Sequence, residues 1–192
     1  MTEDLNLKEL EMKAWASYFE DGLWDLFFGI ILITSAVRSL TDNVWFTFGI
    51  FGAILLNILG KRYFTIPRIG LVKFGPKREM RQVKMMLIIL IMLLVILYLG
   101  TLMTQTAFPV MALWLAVLFF LLGFLMDFSH FYVYGLIFAS SEVISRTYGD
   151  PFAPLSNLIF GSGLLLVGLL ILSRFLKKYP LQSGGTPNDY RG

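Results

Sequence analysis

Apolar residues occur along this chain in blocks of about 20 positions, the length a helix needs to cross a hydrocarbon core about 30 Å thick. Six blocks are predicted to be spans: about 22–37, 44–60, 85–103, 110–126, 131–145 and 155–173. The third and sixth have the clearest patterns. The fifth is the most polar, carrying Ser140, Ser141 and Glu142, and its pattern also allows a re-entrant or tilted segment. The predicted fold class is all-α: a polytopic membrane bundle of six transmembrane helices behind an N-terminal amphipathic segment. The domain plan is therefore a cytoplasmic segment 1–21, a six-span domain 22–173 and a polar, Gly- and Pro-containing cytoplasmic tail 174–192, expected to be disordered.

Composition supports this plan. Of 192 residues, 57% are hydrophobic and 15% charged, with a mean hydropathy of +0.72, which excludes an ordinary water-soluble domain. The absence of cysteine removes thiol catalysis and cysteine-bound metals. No cofactor is expected.

Orientation follows from Lys and Arg, which cytoplasmic loops retain. With six spans and both termini inside, 14 basic residues fall on the cytoplasmic side and only Arg38 and Arg146 outside. Merging spans four and five would reduce the split to 11 to 5, so the even count is preferred. The first span is not expected to be a cleaved signal, because an acidic segment precedes it and no small-residue cleavage site ends it.

Two segments outside the spans carry opposite charge. Residues 1–21 hold Glu3, Asp4, Glu9, Glu11, Glu20 and Asp21 against Lys8 and Lys13. Leu7, Leu10, Ala14, Trp15 and Tyr18 share a helical face, which reads as an interfacial amphipathic helix or as a soluble cap on the bundle. The loop 61–84 concentrates Lys61, Arg62, Arg68, Lys73, Lys77, Arg78, Arg81 and Lys84 around one acid, Glu79. Each such charge gains about 1 kcal/mol beside an anionic surface, so these eight residues are the candidate lipid-binding set; the alternatives are a topology determinant alone and pairing with the acidic segment 1–21, which competes for the same charges. Interleaved Tyr63, Phe64, Ile66, Ile69, Leu71, Val72 and Phe74 place the loop in the interface, with a short strand expected at 69–74. No recognition fold accompanies the charge, so nucleic acid is not expected as a partner.

The run Lys61-Arg-Tyr-Phe-Thr-Ile-Pro67-Arg68-Ile-Gly70-Leu-Val72 after the second span resembles a Tyr-Pro-Arg-x-Gly-Tyr-Val pattern found in a group of prokaryotic multi-span membrane proteins. Residues 157–161 and the run from Arg174 to Tyr179-Pro180 resemble the end of the same group. Ile66 and Leu71 stand where that pattern has tyrosine. The resemblance implies the same order of spans and no activity.

Ionisable and amide side chains inside spans are costly and mark candidate sites. The candidate intramembrane polar set is Asp25, Asn57, Asp127 and His130. Asp25 shares a face with Gly22, Gly29 and Ala36, a small-residue seam suited to close packing, and Lys61, Arg62, Lys84 or Arg174 could pair with it. Asp127 and His130, three residues apart in the turn between spans four and five, could serve acid–base chemistry or hold a metal, but neither a nucleophile nor a four-ligand set accompanies them. Glu142 and Arg146 have the favourable i,i+4 order for a structural ion pair. Asn157, Gly161 and Gly168 repeat the offsets of Asp25, Gly29 and Ala36 in a helix of opposite direction, a match that Leu-rich helices also produce without an inverted repeat.

The reading placed first is small-solute or ion transport or binding through the six-helix bundle, as a possible homo-oligomer. The alternative is a non-catalytic membrane subunit or scaffold that binds anionic lipid or a partner protein through the basic loop. An intramembrane lipid-acting enzyme stands third.

Overall fold

The computed structural model describes residues 18–69 and 110–181 and five further positions, 87, 91, 94, 95 and 98. Every regular element among them is helical. Helix α1 is Leu23–Thr41. A 3₁₀ turn Val44–Phe48 leads into α2, Gly49–Gly60, which continues through a π turn Lys61–Thr65 into the short α3, Ile66–Ile69. Then follow α4, Val110–Met126, α5, His130–Tyr148, and α6, Phe152–Lys178.

Three of these stretches are long and apolar enough to cross a membrane: α1, the continuous run Val44–Ile69, and α6. Helix α4 is equally apolar but shorter, at 17 residues. Of the six expected spans, the third falls almost wholly outside the described residues, although Leu87, Ile91, Leu94, Val95 and Tyr98 are helical. The fifth is the 19-residue α5, which Ser140, Ser141, Glu142, Ser145 and Arg146 make too polar to stand with the three. The second is longer than expected. Helical backbone extends to Ile69, past the expected start of the basic loop at Lys61, so Ile69, the first residue of the strand expected at 69–74, belongs to α3 and the rest lies outside the described residues.

The described residues fall into two compact units, one taking 18–34, 44–69 and 161–181 and the other 35–43, the five positions 87, 91, 94, 95 and 98, and 110–160. In the first, α1 packs antiparallel on α6 along glycines. A Cβ on Gly29 would lie 2.9 Å from the Gly161 carbonyl oxygen, and one on Gly161 would lie 2.9 Å from that of Gly29. Directly before α1, a Cβ on Gly22 would meet the Gly168 oxygen at 2.5 Å. The backbones approach this closely because neither helix places a side chain between them. The repeated offsets of Gly29 and Gly161 noted in the sequence are thus two sides of one packing seam. Leu23, Leu26, Phe28, Leu32 and Leu164 are buried in this unit.

In the second unit α4 and α5 form a helical hairpin. Gly123 admits the Tyr132 ring and Gly135 admits Phe119, each with contacts near 3.0 Å to a built Cβ. Phe119, Phe131, Tyr134 and Phe138 form an aromatic core, with Phe119 stacked on Phe138 at 5.2 Å between centroids. In each unit large apolar side chains face outward: Phe124 is 74% exposed in the second, and Trp45 72% and Leu166 64% in the first. So much exposed apolar surface would make a water-soluble chain aggregate, whereas hydrocarbon covers it without cost. With this surface, the three long apolar helices are compatible with a membrane protein.

Candidate functional site

The polar residues of the first unit meet at the start of α1. Gly22, with φ of +78°, turns the chain, and the Leu23 N–H donates to Asp21 Oδ1 at 3.1 Å, an Asx-type turn that leads into the helix. A carboxylate here also complements the positive end of the helix dipole. The other oxygen, Oδ2, accepts from Lys61 Nζ at 2.7 Å and from the Thr65 hydroxyl at 2.5 Å. Lys61 also donates to the Tyr18 carbonyl, and its ammonium sits 4.2 Å from the centre of the Tyr18 ring and 5.5 Å from that of Phe19. Asp21 and Thr65 are fully buried and Lys61 is 7% exposed. Burial, and secondarily the Asp21 charge, holds the Tyr18 phenol above its usual pKa.

The sequence explains why these groups converge. Asn57, Lys61 and Thr65 recur every four residues, and Asn57 Nδ2 donates to the Leu23 carbonyl at 3.3 Å. Ala53, Gly60, Lys61 and Thr65 are the buried residues of this helical run, so its protein-facing stripe is small or polar while its outer face is apolar. Gly60 leaves room for Leu23, whose methyl carbon would be 2.7 Å from an added Cβ.

Two expectations change. Lys61, placed among the cations facing headgroups, is sequestered by Asp21 instead, and it is therefore unavailable as the partner proposed for Asp25. The physical reason is that Asp21, at a turn rather than within a helix, can offer both oxygens, and Thr65 reinforces one of them. Asp25 itself is 2% exposed and packs on Gly168, with the rest of the small-residue face, Gly22 and Gly29, on the same side. Arg62 is exposed, and Arg68 donates from Nη1 to the Phe64 carbonyl at 2.9 Å. Lys73, Lys77, Arg78, Arg81 and Lys84 lie outside the described residues.

The four candidate intramembrane residues divide between the units, Asp25 and Asn57 in one and Asp127 and His130 in the other. Asp127 has a local structural role. With φ of +56° it occupies the left-handed position after α4, and the Phe128 N–H donates to the Gly123 carbonyl at 3.2 Å, the helix-ending pattern in which aspartate is one of few residues tolerated besides glycine. The His130 ring stacks on Phe128 at 4.8 Å. Among the described residues no group of three or more His, Asp or Glu could hold a metal.

Further along α5, Arg146 Nε donates to Glu142 Oε1 at 2.9 Å as an i,i+4 pair, half-exposed and worth a few tenths of a kcal/mol in such settings. The Ser141 hydroxyl donates to Asn157 Oδ1 and ties α5 to α6. The sequence sets the acidic segment 1–21 against the basic loop but does not single out the pair Asp21–Lys61. Its signal was present in the Asn57, Lys61, Thr65 spacing and in an Asp-Gly turn directly before a span. Compared with known proteins, the chain matches no protein-family model, no curated protein and no solved structure.

Proposed function

We propose that the protein is a six-span, non-catalytic subunit of the cell membrane, with both termini cytoplasmic, that holds anionic lipid along residues 62–84. The observation that carries this reading is the two-sided turn at Lys61–Thr65. Its inner side is locked by Asp21, while Arg62, Tyr63 and Phe64 are exposed on its outer side, Tyr63 at 62%. Aromatic rings beside a cation at the end of an apolar helix match what headgroups accept. The polar pairings support the same choice over solute transport, since Asp21 accepts from both Lys61 and Thr65, Ser141 bonds to Asn157 and Glu142 to Arg146. The resemblance of residues 61–72 to a multi-span group is consistent with this architecture and adds no activity.

Neutralising Lys73, Lys77, Arg78 and Arg81 together to Gln should weaken retention of anionic lipid in nanodiscs. At about 1 kcal/mol per charge the loss is large at low salt, and it shrinks as salt screens exposed charges over about 8 Å. Retention equal to that of the parent would exclude the lipid role. Transport keeps one supporting observation, the buried Asp25 carboxylate in the α1–α6 seam. A cation or proton flux in proteoliposomes that Asp25→Asn abolishes, in a variant that melts like the parent, would favour it.

A further inference from the structure

The π turn at Lys61–Thr65 lies between two side chains that reach the same carboxylate oxygen, and the geometry explains why it is π. In a regular α-helix, residues eight apart drift by about 80° around the axis, so Thr65 would swing away from the face that Asn57 presents to Leu23. Here the Ile66 N–H bonds to the Lys61 carbonyl, five residues back, and this wider turn winds less per residue. Thr65 is thereby returned to the line of Asn57 and Lys61, where Asp21 receives it. Directly after the turn stands Pro67, whose ring would press on the Tyr63 carbonyl of a regular helix and which has no N–H to give. The α form offers regular hydrogen bonds; the π form relieves the proline. Opposed local preferences of this kind leave two arrangements close in energy, and small changes in contact select between them.

We infer that this turn is a register switch set by the Tyr18–Asp21 segment. While Asp21 holds Lys61 and Thr65, the turn stays π. When the segment withdraws, the turn closes to α, and each residue from Phe64 onward takes roughly the angular position now held by its successor. Phe64, now exposed, turns to the face that Thr65 occupies, and Ile66, now half-buried, turns to the exposed place of Pro67. The device links the segment before α1 to the orientation of the chain leaving α3 towards the basic residues.

Because the chain has no cysteine, single cysteines report the rotation. Phe64→Cys and Ile66→Cys are each labelled with a membrane-permeant thiol reagent, alone and combined with Asp21→Ala or Thr65→Val. The expected result is a change of opposite sign, with labelling falling at 64 and rising at 66, a shift of one position. Thr65→Val leaves the Asp21–Lys61 pair in place, so it decides the matter if Asp21→Ala does not fold. Unchanged rates at both positions would show that Pro67 alone holds the turn, and rates rising together would show local unfolding; either outcome overturns the switch.

Discussion

Lys61→Met is expected to destabilise the protein by about 3–5 kcal/mol, the cost of removing one member of a buried pair and leaving the other charged. The Asp21 carboxylate is fully buried and would keep only the Leu23 N–H and the Thr65 hydroxyl as donors. Adding Asp21→Asn to Lys61→Met should recover much of the loss, since a neutral amide has no charge to leave unpaired: its Oδ1 still accepts from the Leu23 N–H, and its Nδ2, standing where Oδ2 stood, donates to the Thr65 hydroxyl oxygen. That recovery distinguishes electrostatics from lost packing by the lysine stem. Thermal unfolding in detergent, followed by tryptophan fluorescence, reads all three variants. A Lys61→Met protein that melts with the parent would mean the pair contributes nothing to the stability of the solubilised protein.

The second large effect is expected from a single methyl group. Gly22→Ala places a side chain at φ of +78° and 2.5 Å from the Gly168 carbonyl oxygen, so it incurs about 1–2 kcal/mol of backbone strain and about 1–3 kcal/mol from forcing α1 and α6 apart. Together these come to about 2–5 kcal/mol. Gly52→Ala and Gly163→Ala are the controls: nothing lies within 4 Å of either added Cβ, and alanine in a helix interior gains about 0.5–1 kcal/mol over glycine. Equal melting temperatures for the 22 and 163 variants would remove the glycine seam from the account.

Much of the helical plan was legible because long apolar runs leave the backbone no alternative in hydrocarbon. Residues 110–126 coincide with α4, and the expected first and sixth spans lie inside α1 and α6 apart from Gly22 at the turn. The second run was cut short at Gly60 because two cations follow it, and charge is the usual sign that a span has ended. Lys61 continues the helix because Asp21, 40 residues earlier, neutralises it inside the protein, and local sequence does not reveal such a partner. Asp21 was missed for the related reason that it sits in an acidic stretch that reads as solvated surface. Asp127 shows the reverse: an acid three residues from the single histidine draws attention to its side chain, while its left-handed backbone gives it a helix-terminating role that the spacing does not reveal. Asp25 was legible as a buried residue on a small-residue face, because glycine spacing along a helix specifies close packing whatever the partner.

The proposed topology, a multi-pass membrane protein with its basic segment and both termini inside the cell, is open to labelling in intact cells. Thr41→Cys, the last residue of α1 and beyond the expected external end of the first span, and Gly185→Cys, in the tail, are exposed separately to a membrane-impermeant thiol reagent. The account predicts labelling at 41 without permeabilisation and at 185 only after it. Labelling at 185 in intact cells, with none at 41, would contradict it.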